Sequence, residues 1–96
     1  MKLRFRRSAI DDLGEIRSYI AQDNPSAARR LVRAIRRRCR LMAEQPHIGR
    51  QRPELRSGLR SFPVQRYIVF YHVINDTVEI VSIVHGSRDI QAISRE

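Results

Sequence analysis

The chain is predicted to adopt an α+β fold: an N-terminal strand, then an antiparallel helical hairpin packed on one face of a small, mainly antiparallel β-sheet, in the order β-α-α-β-β-β. Three observations carry this prediction. Apolar residues recur at steps of three and four across residues 9–42, with one interruption at Asp23-Asn24-Pro25. Two later runs, YIVFYHVI (67–74) and VEIVSIVH (78–85), are dense in β-branched and aromatic side chains that suit a pleated, half-buried surface. Between them lies Asn75-Asp76, a connector whose residues tolerate positive φ, so the two runs pair as a hairpin.

The first strand comes from KLRFRR (2–7), where Leu3 and Phe5 alternate with basic groups and leave one apolar face. Its lysine and arginines suit a sheet edge, where they discourage stray pairing. Helix one is expected over residues 8–22, with Ser8 as the N-cap and Asp11 and Asp12 in the first turn against the positive end of the dipole. Leu13, Ile16 and Ile20 form its apolar stripe. Helix two starts at Pro25, which is accepted at a first helical position behind a capping Asn24, and runs to about residue 44. Ala28, Leu31, Val32, Ile35, Cys39 and Met42 draw its buried face, and Arg29, Arg30, Arg33, Arg36, Arg37 and Arg40 its outer one. A link this short makes the two helices an antiparallel pair whose joint apolar side needs a sheet.

Residues 45–55 are rich in breakers and charge and read as a long loop; in a small domain such a length leans towards function, and a loop that merely wraps the helix ends is an equally good reading. Residues 59–64 form a short strand, placed at an edge by Pro63, which lacks a ladder donor. In the run 67–74 both alternating sets are apolar, which makes it central and covered on both faces. One helical hairpin covers one face only. The other face is therefore expected to stay uncovered in the lone monomer and to mark an interaction site.

Composition narrows the function. Ninety-six residues form one domain with one compact core. No apolar run reaches the roughly 20 residues of a membrane helix, and the basic start MKLRFRR leads into an amphipathic stretch, so a cytoplasmic protein without membrane contact is expected. Cys39 is the single cysteine, which rules out an internal disulfide and a Cys-rich zinc site; its place on the apolar stripe makes it a small core hydrophobe. His47, borne on the loop, has no partner at metal-ligand spacing, and no metal or cofactor is expected. The net charge is +9, and all the basic residues but Lys2 are arginine, a planar fork for carboxylate and phosphate. The partner should be strongly acidic.

Four stretches taken in order, SYIAQDNPSAA, PHIGRQRPELRSGLRSFPV, RYIVFYHV and IVSIVHGSRD, resemble the ParE branch of the RelE/ParE toxin superfamily over roughly residues 9–89. Members are toxins of bacterial type II toxin-antitoxin pairs. The resemblance implies a cognate antitoxin, typically a ribbon-helix-helix DNA-binding protein whose acidic C-terminal tail wraps the toxin, so that operator DNA is met only through the antitoxin. It also implies DNA gyrase as the target, with plasmid stabilisation or growth arrest as the outcome and no hydrolytic chemistry. Antitoxin contacts are expected at Arg30, Leu31 and Ile35 of helix two and at Tyr67, Phe70 and His72 of the hairpin. Target contacts are expected at Arg50, Arg52, Arg60 and Arg88.

The alternative that the superfamily implies is a RelE-like, ribosome-dependent mRNA endonuclease. Cleavage through a 2'-hydroxyl needs a base, an acid and cations for the phosphorane charge. Arg60, His85 and Arg88 near one rim, with Tyr71, are the candidates. The histidine and tyrosine common near the C-terminus of such enzymes have no counterpart after Gly86, where the chain reads SRDIQAISRE. A charge-led nucleic-acid binder is a third reading, without a recognised binding signature in its support.

Overall fold

The computed structural model describes residues 1–87. The elements are β1 (Lys2–Phe5), α1 (Arg7–Ala21), α2 (Pro25–Glu44), β2 (Arg50–Gln51), β3 (Arg60–Val64), β4 (Tyr67–Ile74) and β5 (Thr77–His85). The strands form one sheet in the order β1-β5-β4-β3-β2. The pair β1-β5 is parallel and the other pairs are antiparallel, so the fold is α+β on a mainly antiparallel sheet, as predicted. The strand β2 is an addition. Two residues of the expected loop pair with Ser61 and Arg60, too short a run for any periodicity to register.

The helix termini divide instructively. Asn24 accepts a 3.0 Å hydrogen bond from the Ala27 N–H with Pro25 at the first helical position, a cap of the kind worth about 1 kcal/mol. Ser8 is no cap. α1 starts one residue earlier, behind Arg6, whose side chain makes no capping bond. The Ser8 hydroxyl instead donates to the Val81 carbonyl at 2.7 Å, and the Asp12 carboxylate accepts from the Ile83 N–H at 2.9 Å. Both side chains stitch α1 to the backbone of β5, a tertiary use that outcompeted the local one.

On the helix side of the sheet, Ala9, Leu13, Leu31, Ile35, Cys39 and Met42 meet Phe62, Val69, Tyr71, Val78, Ile80 and Ile83 in one core. Burial pushes the Cys39 thiol up to about 12, which makes it an inert apolar group. The turn between β4 and β5 places Asn75 at φ 48° and Asp76 at φ 62°, the conformation a two-residue hairpin demands. A register shift at Phe70/Tyr71 inserts Val81 as an extra residue in β5, which turns Val81 and Val84 to the same side.

That side is the second face, and here two expectations are corrected, that this surface is uncovered and that the domain has a single core. Leu55 and Leu59, from the segment joining β2 to β3, pack on Phe70, Val81 and Val84 with Ile68 beside them. Phe70 is 0% exposed. Arg52 adds its guanidinium 5.8 Å from the Phe70 ring centroid and hydrogen-bonds Ser61 through Nε. The long breaker-rich segment is the missing lid of the sheet. Pro63 fits the edge rule in a modified form: β3 has a neighbour on each side, but β2 pairs only Arg60 and Ser61, and Pro63 lies beyond its reach.

Candidate functional site

The two ends of the sheet hold Arg60, Tyr71 and His85, the catalytic candidates within the described residues, together with Tyr67. At one end, Arg60 of β3 stands opposite Tyr71 of β4. The Tyr71 hydroxyl donates to the Pro46 carbonyl at 2.8 Å and accepts from the Gly49 N–H at 3.1 Å. Arg60 Nη1 donates to the carbonyls of His47 and Gly49, each at 2.8 Å. Together the two side chains clamp residues 46–49 onto the sheet. A Cβ on Gly49 would overlap the Tyr71 hydroxyl, so only glycine permits this approach. Tyr71 is 0% exposed, and burial raises its phenol above the ordinary value.

At the other end, His85 pairs with Tyr67 and its ring stands edge-on to that tyrosine at 5.3 Å. Its Nδ1 meets the Ser87 hydroxyl at 2.7 Å. Four residues of strand, about 13 Å, separate the Tyr71 and Tyr67 positions on β4, and β4 itself lies between β3 and β5. Arg60 and His85 therefore do not share a rim, and the catalytic grouping of Arg60, His85 and Tyr71 is not assembled. Arg88, the fourth candidate, lies outside the described residues.

Beside Tyr67 and His85 opens a groove of about 780 Å³ between α1, the start of α2 and the β3-β4 turn. Ile16, Ile20 and Leu31 give it an apolar floor, while Tyr19, Tyr67 and Arg66 stand along it. Tyr19 is 70% exposed, a large aromatic facing solvent. Tyr67 and Leu31 are among the residues to which the sequence points, and Tyr19 and Arg66 are not. The available signal was an aromatic on the polar side of helix one, and periodicity alone does not distinguish that from ordinary surface.

The remaining expected antitoxin residues are dispersed. Ile35 and Phe70 are fully buried in separate cores, and Leu31 is 4% exposed, so none of the three offers more than a sliver of surface. Arg30 is exposed and hydrogen-bonds Ser26. His72 lies on the second face with its Nε2 2.7 Å from Glu79 Oε1. Glu79 also takes Arg4 at 2.8 Å and Arg6 at 3.1 Å. The hydrogen bond with His72, helped by Arg4 and Arg6, holds its carboxyl below the ordinary value. This cluster went unrecognised in the sequence, although a lone acid inside the apolar run VEIVSIVH was its sign. Of the expected target arginines, Arg50 is exposed on β2, whereas Arg52 and Arg60 are engaged within the fold.

The architecture and the chain itself match known toxins. A family model described as "ParE toxin of type II toxin-antitoxin system, parDE" matches residues 3–90. The chain belongs to the ParE toxin family. It is 35% identical over 80 residues to Toxin RelE2 of Caulobacter vibrioides, covering 83% of this chain and 89% of that one. Among solved structures it resembles the chromosomal ParDE TA system from P. aeruginosa, with a TM-score of 0.78 at 22% identity over 88% of this chain and 95% of that one. The intact E. coli RelBE toxin-antitoxin complex follows at a TM-score of 0.62 and 16% identity, covering 91% of this chain and 98% of that one. At those identities the structures attest the shared fold. Among the described residues no helix of this ParE-family chain is long and apolar enough to cross a membrane, and no His, Cys, Asp and Glu side chains cluster as a metal site.

Proposed function

We propose that this ParE-family toxin acts by binding, with DNA gyrase as its target, and that a cognate antitoxin silences it by laying an amphipathic, acidic tail in the groove beside Tyr19 and Tyr67. The observation that carries the reading is the state of the Arg60-Tyr71 pair. Both hydroxyl bonds of Tyr71 and two donors of Arg60 go to the backbone of residues 46–49, and His85 stands at the opposite end. A general acid or base must reach its proton: the phenol of Tyr71, raised by burial, stays protonated and is no base at neutral pH, and its one proton is already given to the Pro46 carbonyl.

The groove supports the antitoxin half of the proposal. Its apolar floor and tyrosine walls fit a segment that folds as it binds, and Arg66 and the nearby exposed Arg30 complement acidic residues. Arg50 is the proposed target contact within the described residues, with Arg88 beyond them. The RelE-like endonuclease remains the second reading because Toxin RelE2 is a 35% identical relative. Induction without antitoxin decides between them. Gyrase-DNA cleavage complexes with intact mRNA are expected, whereas mRNA cut at ribosomal A sites with unaffected gyrase would reverse the order.

A further inference from the structure

We infer that the outer face of α2 is a docking surface for the sugar-phosphate backbone of duplex DNA, separate from the tyrosine groove. At about 100° per residue, Arg29, Arg33, Arg36, Arg37 and Arg40 fall within one arc roughly 100° wide, and they span about 16 Å of helix axis. All five are exposed. Arg36 is steadied over the Phe5 ring at 5.4 Å. The other four make no hydrogen bond or salt bridge within the described residues. Glu44 is the one acid in the twenty residues of α2.

An ordinary solvated helix interleaves its charges. Here the pairs Arg29/Arg33, Arg33/Arg37 and Arg36/Arg40 set like charges at i,i+4, each of which destabilises the helix. A polyanion reverses that repulsion. The arc carries no aromatic residue, so it offers no stacking platform for unpaired bases, and its one apolar neighbour is Leu41, exposed about 40° beyond Arg37, a single side chain where an acidic peptide that folds on binding needs a row of anchors. Guanidiniums alone recognise phosphates, without sequence preference. The form of the duplex follows from groove shape. The major groove of B-form DNA, about 12 Å wide, admits a helix, while that of A-form RNA is too deep and narrow. The inference is independent of which target the toxin poisons.

The test is fluorescence anisotropy of the full chain with a mixed-sequence DNA duplex two helical turns long, from about 50 to about 200 mM salt. Five phosphate contacts predict a slope of log K against log salt of about −4.5, and the double variant Arg33→Gln, Arg37→Gln should make it shallower by about 1.8. The control, Lys2→Gln with Arg38→Gln, removes the same charge away from the arc: Lys2 lies on the opposite sheet face, and Arg38 about 100° around the helix from Arg37. It should leave the slope unchanged. Equal losses in both variants would reduce the binding to net charge and overturn the proposal. So would an RNA duplex bound as tightly as DNA, or a Glu-rich peptide bound at the arc by a chain that ignores DNA.

Discussion

The two ends of the sheet hold similar residues in opposite states. Tyr71 and Arg60 at one end are closed onto the backbone of residues 46–49, and Tyr67 and His85 at the other border an open groove. A tyrosine and a basic side chain within reach of each other are thus no indication of chemistry by themselves. What decides their role is whether the polar atoms already have partners. At the closed end the bonds run to the backbone of residues 46–49, whereas at the open end His85 bonds only its neighbour Ser87 and the aromatic surfaces remain available to a partner.

The sharpest way to break this contrast is to remove the latch. Tyr71→Ala should cost about 3–5 kcal/mol, since it deletes a buried ring and strands the groups it pairs. Tyr71→Phe should cost about 1–3 kcal/mol through the lost hydroxyl bonds alone. Urea denaturation measures both, and a stability unchanged in Tyr71→Phe would show that the clamp on residues 46–49 is dispensable. Any loss of toxicity should track the loss of folded protein.

The open end should respond in the reverse manner. Tyr19→Ser is expected to leave stability within about 0.5 kcal/mol of the parent, because an exposed side chain away from core and caps contributes little. Antitoxin affinity, by calorimetry, should fall at least tenfold, about 1.4 kcal/mol. Undiminished affinity would remove the antitoxin from the groove.

A smaller effect separates the closed end from the Glu79 cluster by pH. Because the folded Glu79 carboxyl is held below its ordinary value, its contribution is present above the unfolded pKa and fades as the pH falls through the folded one. The raised phenol of Tyr71 behaves oppositely: its contribution is intact below the ordinary tyrosine value and is lost as pH rises past it. Glu79→Gln should therefore flatten the acid limb of a stability-pH profile, and Tyr71→Phe the alkaline limb. A parallel shift of both limbs in either variant would contradict this assignment.

Much of the molecule was legible in the chain. The stripe from Ala28 to Met42, the Asn24-Pro25 start and the Asn75-Asp76 turn each encode local geometry in a few neighbouring residues, and each appears as expected. The family signature was legible for the same reason, since ordered motifs along residues 3–90 are a property of the chain. The roles of Ser8 and Asp12 are not local, because their partners, Val81 and Ile83, lie more than seventy positions away. The second sheet face looks bare in the sequence because no periodicity marks Leu55 and Leu59 as its cover.

The sequence by itself thus determined the secondary elements, the hairpin turn, the family and a strongly basic charge, all of which follow from short-range patterns or plain composition. Only the tertiary structure decided which face of the sheet is closed, that Arg60 and Tyr71 bond the backbone of residues 46–49, that Arg60 and His85 stand apart, and that Tyr19 and Tyr67 line one groove. The physical reason is that burial and hydrogen-bond satisfaction are relations between residues distant in the chain, and they exist only once the strands have taken their register.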